Sequence, residues 1–284
     1  MVTIRKVLKE DFEMVYPLFV QLNNLHANKN LWKRLFINHW NAQEDYLGYV
    51  LVERGRAVGF LGLMFSSMII NSEKYKFCNF TSWVVQEDYR NESIKLLLPV
   101  LRLRDYTLTS HTMSSDTYFI FKKLGFSDLE DSLVIIPPIP KPEGLSKKYQ
   151  VTVNSEVIGL SLDKRNLQIY HDHSNLNAHH ILAQTESGQC LIIATRPIKK
   201  NLPFAHLHYI SNLNVFVECV GKIRLVVCLQ LKAAAILVDK RCLRGERISQ
   251  SLEYTLPQPR LYKSDCLNKD DITALYSELI LLNL

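Results

Sequence analysis

The chain has 284 residues, of which 47% are hydrophobic and 22% are charged, and its formal net charge is +6. These proportions are typical of a globular protein with one large domain or two ordinary ones. No run of eighteen apolar residues occurs, so we expect no membrane-spanning helix. The opening segment contains acidic residues and no apolar core, so we expect no signal peptide and a cytoplasmic location.

The six cysteines also limit the classes of function. They form no Cys-x-x-Cys pair and stand mostly in apolar stretches, which favours reduced core cysteines. We therefore expect neither a disulfide framework nor a bound metal. The basic residues are scattered along the sequence and match no nucleic-acid-binding module, so we expect no nucleic-acid partner.

The spacing of apolar residues predicts the elements of the first half. The expected strands are an opening strand at 3–7, a hairpin of two strands at 46–52 and 57–64, a long aromatic-rich strand at 77–85 and a fifth strand at 106–112. Two helices are expected before the hairpin, at 11–22 and 31–39. A mixed arrangement of strands and helices follows from this order.

A polar turn, 86–92, follows the aromatic-rich strand. Ser93 then opens an apolar-periodic run, which predicts a helix through Ile94, Leu97, Leu98 and Leu101. A turn rich in backbone N–H groups at a helix N-terminus is an anion site, because the orphan amides and the positive end of the helix dipole point at the ligand. A diphosphate is the usual occupant of such a site.

This segment resembles a motif of the GNAT acyltransferase superfamily, whose members bind acetyl-CoA or a longer acyl-CoA. The motif is matched here by Val85, Tyr89, Arg90 and the residues up to Lys95. A second motif of the family is matched by Ser114, Thr117, Ile120, Phe121, Gly125 and Phe126. The resemblance covers roughly residues 1–136, and the order of elements supports it. It implies an α/β fold of the α+β, GNAT-like type, with a mixed central sheet flanked by helices.

The resemblance also implies which residues bind the acyl-CoA. Members of the family hold the thioester carbonyl with backbone amides at the end of the fourth strand and the diphosphate in the following turn. In this chain the positions that match are Val84, Val85, Arg90, Asn91, Glu92, Ser93, Ile94, Lys95 and Ser114.

Three residues depart from the family pattern. Ser93 and Lys95 replace glycines that let the backbone approach the diphosphate, although the Ser93 hydroxyl can cap the helix or bind a phosphate oxygen. Phe121 stands where many members carry a tyrosine that protonates the leaving thiolate, and it has no proton to donate. Tyr118, nearly on the same helical face, is the candidate substitute if the helix is rotated.

A base that activates the acceptor is harder to assign, because the fourth strand carries no glutamate facing the site. His111, in the expected fifth strand, is the best-placed titratable side chain, and the alternative is an exposed histidine at a strand end. The residues of the fourth strand that face the site form one of two alternating sets, which are Asn79, Thr81 and Trp83, or Cys78, Phe80 and Ser82.

A proline-rich run marks the expected domain boundary. It predicts a first domain at 1–136, a linker at 137–148 and a second αβ domain at 149–284. In the second half the pattern predicts a strand at 149–153, a helical span at 157–182 and a strand–turn–strand at 189–210. A helix at 215–231, capped by Asn212 or Asn214, and a strand at 233–238 are expected to follow. This order repeats that of the first half, so the second domain is either a diverged GNAT-like domain or another αβ domain.

A histidine cluster in the second half, from Tyr170 to His173 with His179 and His180 beyond, allows three interpretations. It is a metal site if three imidazoles converge, or a source of a general base beside Asp172. The third interpretation is a polar loop with His179 and His180 on a helix surface. His173 is the catalytic candidate if the two halves form one cleft.

The sequence thus supports two hypotheses about function. The first is an acyl-CoA-dependent acyltransferase, acting on an amine or hydroxyl of a small or sugar-like acceptor, with Tyr118, His111 and His173 as catalytic candidates. The second is a non-catalytic GNAT-like scaffold that binds a ligand or a partner protein. Phe121 and Lys95 favour the scaffold, whereas Arg90, Ser93 and the Gly125-Phe126 pair favour the enzyme.

Overall fold

The computed structural model describes residues 1–22, 28–40, 42–140 and 146–284. The chain forms two compact units. Unit 1 contains Met1–Ser127, Arg260–Asp271 and Tyr276–Leu282, and unit 2 contains Asp128–Pro259, Ile272–Leu275 and Asn283–Leu284. The first boundary therefore lies at Ser127 rather than at residue 136, and the chain returns twice to unit 1. Residues 141–145 of the expected linker lie outside the described residues.

The strands are, in chain order, β1 (Thr3–Lys6), β2 (Gly48–Glu53), β3 (Arg56–Ile70), β4 (Glu73–Val85), β5 (Tyr106–Ser110), β6 (Ser127–Ile136), β7 (Gln150–Thr152), β8 (His179–Thr185), β9 (Gly188–Thr195), β10 (Ile198–Lys199), β11 (Leu202–Pro203), β12 (Ala205–Ile210), β13 (Ile236–Asp239) and β14 (Leu252–Lys263). The α-helices are α1 (Phe12–Val20), α2 (Lys29–Lys33), α3 (Ile94–Leu97), α4 (Ser115–Lys123), α5 (Ser155–Ser161), α6 (Lys164–Ser174), α7 (Leu213–Gln230) and α8 (Glu278–Leu281).

Unit 1 is built on a mixed sheet in the order β1, β2, β3, β4, β5 and the end of β14. Neighbours are antiparallel except for β4 and β5, which are parallel. The helices bury aromatic side chains against the sheet: Phe19 of α1 stacks on Trp32 of α2 at 4.6 Å and packs edge-on against Phe60 of β3. The mixed sheet flanked by helices confirms the predicted fold class.

Unit 2 repeats this strand pattern. Its sheet runs β7, β8, β9, β12, β13 and β6, again with the fourth and fifth strands parallel and the other pairs antiparallel. The Asn212 side chain caps α7 by accepting the N–H of Val215 at 3.2 Å, one of the two caps expected from the sequence. The apolar face of α7 lies in the core of unit 2.

The sixth strand of each pattern is not the next strand in sequence. Strand β6 follows the last helix of the first half, but its residues 128–136 belong to unit 2. Residues 260–263, at the end of β14, belong to unit 1. Strand β6, from the first half of the sequence, thus completes unit 2, and the end of β14, from the second half, completes unit 1.

Three predicted helices differ from the structure. The helix expected from Ser93 is only α3, because Pro99 lacks an N–H and the chain continues as a 3-10 turn at Val100–Arg102. The helix expected at 31–39 ends early, with α2 followed by the 3-10 turn Arg34–Phe36. The helical span expected at 157–182 is α5 and α6, and its last residues form β8. Among the described helices, none has both the length and the apolar character needed to cross a membrane.

The Gly125-Phe126 pair ends α4 in a defined way. Gly125 has a φ of 83°, and its N–H donates to the Lys122 carbonyl while the N–H of Phe126 donates to the Phe121 carbonyl, each at 3.1 Å. These two bonds form a Schellman motif, in which glycine is favoured because other residues are strained at positive φ. The rings of Phe121 and Phe126 stack at 4.7 Å and supply the apolar contact of the motif. This part of the second sequence motif is therefore a helix cap.

Gly125→Ala is expected to destabilise the protein by about 1–2 kcal/mol, because an L-residue at this φ is strained. Steric contact is not the cause, since a Cβ there would meet only the Lys263 ammonium at 3.6 Å. Gly159→Ala in α5 is the matched control and is expected to stabilise by about 0.5–1 kcal/mol. Urea denaturation measures both changes. Equal effects of the two substitutions would contradict the cap assignment.

Candidate active site

The candidate site lies in unit 1, where the parallel strands β4 and β5 separate. The two strands pair from Lys76 with Tyr106 to Phe80 with Ser110. Beyond that pair β5 ends, whereas β4 continues along β3 to Val85. We call the opening between residues 81–85 and residues 111–114 the fork. No described strand pairs with this edge of β4, so its backbone groups can bind an extended ligand.

A β-bulge bends β4 where the fork opens. The register between β3 and β4 shifts between Gly62 and Leu63, so that Thr81 is the extra residue. The Thr81 hydroxyl lies 2.3 Å from the position that a Cβ on Gly62 would occupy. Glycine is therefore required at position 62 for the bulge to pack against β3.

The bulge also changes which side chains share a face. Phe80 and Trp83 both contact Phe121, with ring centroids 5.0 and 5.9 Å away. Strict alternation placed Phe80 and Trp83 in opposite sets, so the prediction of two alternating sets was wrong. The extra residue at the bulge rotates the following side chains relative to the preceding ones.

A fully buried carboxylate, Glu278 at the start of α8, lies next to the fork. It accepts hydrogen bonds from the side-chain amide of Asn79 and, at 2.7 Å, from the hydroxyl of Thr112. The Asn79 oxygen accepts a hydrogen bond from the Thr109 hydroxyl at 3.1 Å. Asn79 and Thr109 are paired one step before the fork opens, and Thr112 is an exposed residue on its edge. A hydrogen bond thus connects the buried carboxylate to a residue that is exposed at the edge of the fork.

Burial raises the pKa of Glu278, and the hydrogen bonds from Thr112 and Asn79 and the charge of Arg260 oppose that shift. A carboxyl group with a raised pKa is suited to take up a proton near neutral pH. Sequence patterns do not indicate this residue, because Glu278 is 199 positions from Asn79 and outside the stretch that resembles the family. The available signal was a single carboxylate inside an apolar run, 275–282.

The turn expected to hold a diphosphate, 86–92, contains the 3-10 turn Glu87–Glu92. Arg90 is exposed, and its guanidinium forms no hydrogen bond or ion pair with the described residues, so it is available to an anion. Lys95 is paired with Glu92, which balances the positive charge of the Lys95 ammonium group. Glu87 and Asp88 are exposed acids in the same turn and oppose anion binding.

Ser93 does not cap α3. Its backbone is already helical, at φ −58° and ψ −37°, and its side chain accepts no capping hydrogen bond. A residue that caps through its side chain has extended backbone angles, which the preceding 3-10 turn prevents here. Asn91, Ser93 and Ile94 are close to Arg90 in sequence. Their role in binding the cofactor stays a prediction.

The backbone amides predicted to hold the thioester carbonyl differ in direction. The N–H of Gln86 donates to the Val58 carbonyl of β3 at 2.9 Å. Because successive residues of a strand alternate in the direction of their N–H groups, Val84 also faces β3 and Val85 faces the fork. Of the two predicted residues, Val85 is therefore the one placed to donate to a ligand.

Helix α4 supplies two of the predicted site residues at the other edge of the fork. Ser114 is the N-cap of this helix, and its hydroxyl accepts the N–H of Thr117 at 3.4 Å. Tyr118 is half-buried on α4, and its ring contacts that of Phe119. Phe121 is 1% exposed and lies among the rings of Phe80, Trp83 and Phe126. The position where the family carries its tyrosine is thus part of the core of unit 1.

His111 and His173 occupy different units. His111 follows β5 at the fork and is 7% exposed, so the alternative of a solvent-exposed strand end was wrong. His173 is fully buried on α6 in unit 2, with its Nδ1 2.8 Å from the Ile169 carbonyl and its Nε2 2.9 Å from the Leu275 carbonyl. Burial lowers the pKa of His173, and the single N–H of the neutral ring can donate to one of these two carbonyls; its catalytic role stays a prediction.

The rest of the histidine cluster is divided between two elements. His171 and His173 end α6, whereas His179 and His180 begin β8, so neither the loop nor the helix surface predicted for them is present. Burial lowers the pKa of His180 to about 4. Among the described residues no group of three or more His, Cys, Asp or Glu side chains is arranged to hold a metal ion.

Unit 2 has a buried polar cluster on its own parallel strands, β12 and β13. The His206 Nε2 lies 3.3 Å from Asp239 Oδ1, and the His208 Nε2 lies 2.8 Å from the Thr195 hydroxyl. Arg241 lies 3.7 Å from Asp239. No motif in the sequence indicated this cluster. All of its members are nearly inaccessible to solvent, so the cluster lies inside unit 2 and not on a ligand-accessible surface.

A shallow groove of about 520 Å³ also lies on unit 2. Residues 151–156 and two side chains of α7, Val226 and Gln230, line it. Glu156 is the one titratable side chain among these lining residues. The groove therefore contains none of the predicted site residues, and the fork of unit 1 is the better candidate for chemistry.

Solved structures of other proteins share this fold. A conserved protein of Enterococcus faecalis V583, a candidate N-acyltransferase, has a TM-score of 0.60 at 12% identity, over 93% of this chain and 73% of that one. A GCN5-related N-acetyltransferase from Anabaena variabilis has a TM-score of 0.57 at 12% identity, over 92% and 72%. A GCN5-related glucosamine N-acetyltransferase region of a fungal multi-domain β-N-acetylglucosaminidase has a TM-score of 0.60 at 12% identity, over 92% and 38%.

No protein-family model matches the sequence, and no curated protein matches it significantly. The structural similarity extends over both units of the chain rather than over the first half alone. The protein therefore has the fold of the GCN5-related N-acetyltransferases, and the fold expected from the two sequence motifs is confirmed.

Proposed function

We propose that the protein is an acyl-CoA-dependent acyltransferase, with acetyl-CoA as the expected donor and the fork of unit 1 as the transfer site. The observation that carries this proposal is the free edge of β4 beside a buried carboxylate, which the Thr112 hydroxyl connects to the fork. The acceptor is a small molecule or sugar with an amine or hydroxyl group. The repeated strand pattern supports a tandem architecture, with unit 2 as a diverged GNAT-like unit.

The residues at the fork fit an acyl-CoA in two respects. The unpaired edge of β4 offers backbone groups to an extended amide-containing chain, and the exposed Arg90 offers a guanidinium to a phosphate. Glu87 and Asp88 reduce the positive potential of the turn, so Arg90 supplies most of the attraction. We expect Val85, Arg90 and the N–H groups of the turn to hold the donor.

In this proposal a bound acyl-CoA supplies an acyl group activated as a thioester. The N–H of Val85 is placed to donate to an acyl carbonyl and to stabilise the negative charge that develops on its oxygen. The aromatic rings around Phe121 exclude water from the adjacent face of α4. A thiol with a pKa near 8.5 needs little help to leave, so Tyr118 is at most a supporting proton donor.

The second candidate function is a non-catalytic GNAT-like scaffold. Two observations favour it: the acidic residues Glu87 and Asp88 in the turn, and the packing of Phe121 in the core where the family carries a tyrosine. A scaffold has no need for an anion site or for a proton donor. It therefore tolerates acidic residues in the turn and a phenylalanine in place of the tyrosine. Binding of CoA distinguishes the two candidates.

Arg90→Glu is expected to abolish CoA binding, because it places a negative charge beside the phosphates. Isothermal titration calorimetry with CoA and acetyl-CoA measures this loss. Arg104→Glu, a charge reversal at another exposed arginine of unit 1, is the matched control and is expected to retain binding.

Thermal shift gives a second measure, since a ligand at 100 times its dissociation constant adds about 2.7 kcal/mol of stability. Unchanged affinity in Arg90→Glu would show that the diphosphate lies elsewhere. No binding of either ligand to the unmodified protein would favour the scaffold.

A further inference from the structure

We propose that the fork recognises its acyl donor by the pantetheine arm and a single phosphate, so that acyl thioesters of phosphopantetheine bind as tightly as acyl-CoA. This inference rests on the acyltransferase function proposed above and adds to it the part of the donor that is recognised. Phosphopantetheine is what remains of CoA when the adenosine half, with its own phosphates, is removed. The same group is also the prosthetic arm of carrier proteins.

The turn beside the fork has too little positive charge for a diphosphate. Together with α3 it contains two basic and three acidic side chains. Lys95 is ion-paired with Glu92, and the exposed acids Glu87 and Asp88 repel additional phosphates. Arg90 is therefore the cation of this turn that is left for a ligand. One guanidinium matches one phosphate, which it binds through parallel N–H groups.

The backbone of the turn also offers fewer donors than an open glycine-rich loop. The N–H groups of Tyr89 and Ser93 already donate to the carbonyls of Gln86 and Arg90, at 2.9 and 3.1 Å. Each such bond of a 3-10 turn removes a donor that an open loop leaves to a ligand. Helix α3 has only four residues, so few aligned peptide dipoles add to the potential. The remaining N–H groups serve the phosphate that Arg90 binds.

The fork offers more to the pantetheine arm than the turn offers to phosphates. The N–H of Val85 faces the fork, and the free edge of β4 can pair with the amide groups of an extended arm. The indole N–H of Trp83 and the hydroxyl of Ser82, on the same segment of β4, are buried and have no hydrogen-bond partner among the described residues. A buried polar group without a partner is unfavourable, so both groups favour a ligand that supplies amide oxygens.

The two halves of CoA thus meet different surroundings. The arm finds hydrogen-bonding groups along β4, and the phosphate attached to the arm finds Arg90. The adenosine half brings further negative charge to Glu87 and Asp88, which offsets the contacts that its ring makes. Removal of the adenosine half therefore leaves the affinity of the donor nearly unchanged.

The test is isothermal titration calorimetry of the whole chain with CoA, dephospho-CoA, phosphopantetheine and pantetheine, so that no acceptor is needed. The first three ligands are expected to have dissociation constants within about threefold of one another, because exposed charges contribute little. Pantetheine lacks the phosphate and is expected to bind at least about tenfold more weakly, since it loses a hydrogen bond to a charged group.

Two arginine variants locate the phosphate. Arg90→Ala is expected to reduce the affinity for phosphopantetheine to that for pantetheine, and to leave the affinity for pantetheine unchanged. Arg54→Ala is the matched control, because Arg54 is an exposed arginine of the neighbouring turn whose charge acts on the Glu53 carboxylate. It is expected to bind all four ligands as the native protein does.

Two further changes test the arm and the acidic residues separately. Trp83→Phe keeps the ring and removes the N–H, so it is expected to weaken all four ligands by a similar factor, about two- to tenfold. Neutralising both acids, as Glu87→Gln with Asp88→Asn, is expected to raise the affinity for CoA relative to phosphopantetheine by about three- to fivefold. An unchanged ratio overturns the repulsion on which the inference depends.

A carrier protein distinguishes the two sources of the arm. Binding of the holo form but not of the apo form assigns the arm to a carrier protein, whereas binding of free phosphopantetheine alone assigns it to small thioesters. Both results support recognition through the arm and one phosphate.

The remaining outcomes separate the inference from the function on which it rests. Binding of phosphopantetheine more than about tenfold weaker than that of CoA overturns the inference and leaves the function. A loss in Arg54→Ala as large as that in Arg90→Ala does the same, because a second cation would then bind the donor. Absence of binding by all four ligands overturns the proposed function itself.

Discussion

Phe121→Ala is expected to lower the free energy of unfolding by about 3–5 kcal/mol, the range for removing a buried phenylalanine. The Phe121 ring is 1% exposed and stacks on Phe126 at 4.7 Å and Trp83 at 5.9 Å. Its removal leaves a cavity between α4 and β4 and also removes the apolar contact of the helix cap. Urea denaturation at equilibrium, monitored by tryptophan fluorescence, measures the change.

Phe119→Ala is the matched control for this prediction, because Phe119 is on the same helix but 62% exposed. We expect its effect to stay within about 0.5 kcal/mol, as is usual for a surface position. Similar losses in the two variants would show that α4 does not pack through Phe121. That result would also restore the possibility that position 121 faces the fork, where the family carries its tyrosine.

The fold of unit 1 was largely accessible from the sequence, because its elements are local. The hairpin of β2 and β3, the aromatic alternation of β4 and the Gly125-Phe126 pair all occur within short stretches. The meaning of the Gly-Phe pair was less accessible. It counted in favour of the enzyme, but the structure shows a Schellman cap, a feature that a scaffold needs as much as an enzyme does.

The candidate site was only partly accessible. The turn at Arg90 and the histidine at position 111 were predicted from their order along the chain. The hydrogen bonds of Glu278 to Asn79 and Thr112 were not, because they join residues 199 and 166 positions apart. Periodicity reports which residues share a local face, but it contains no information on which distant segment covers that face.

The bulge at Thr81 marks another limit of sequence patterns. An inserted residue inverts the alternation beyond it, and the same composition fits a regular or a bulged strand. The side chains on the fork side of β4 could therefore not be selected by counting. Gly62, which accommodates the Thr81 hydroxyl, was the local signal for the bulge.

The pH dependence of stability is expected to reveal the ionisation of Glu278 without any substrate. Burial raises the folded-state pKa of Glu278 above its value in the unfolded chain. Between these two pKa values the folded state binds more protons than the unfolded state, so stability falls as the pH rises through that window. The contribution is largest below the unfolded-state pKa, near 4.3, and each unit of difference corresponds to about 1.4 kcal/mol.

Glu278→Gln is expected to remove this decline, because glutamine does not titrate and can still bond to Asn79 and Thr112. The measurement is the difference in the free energy of unfolding between the native protein and the variant, determined by urea denaturation from acid to neutral pH. Glu87→Gln is the control, since Glu87 is exposed and its substitution should give no comparable slope. A difference for Glu278→Gln that is constant with pH would mean that folding does not change the proton affinity of Glu278. The carboxylate would then be no better a base than one on the surface.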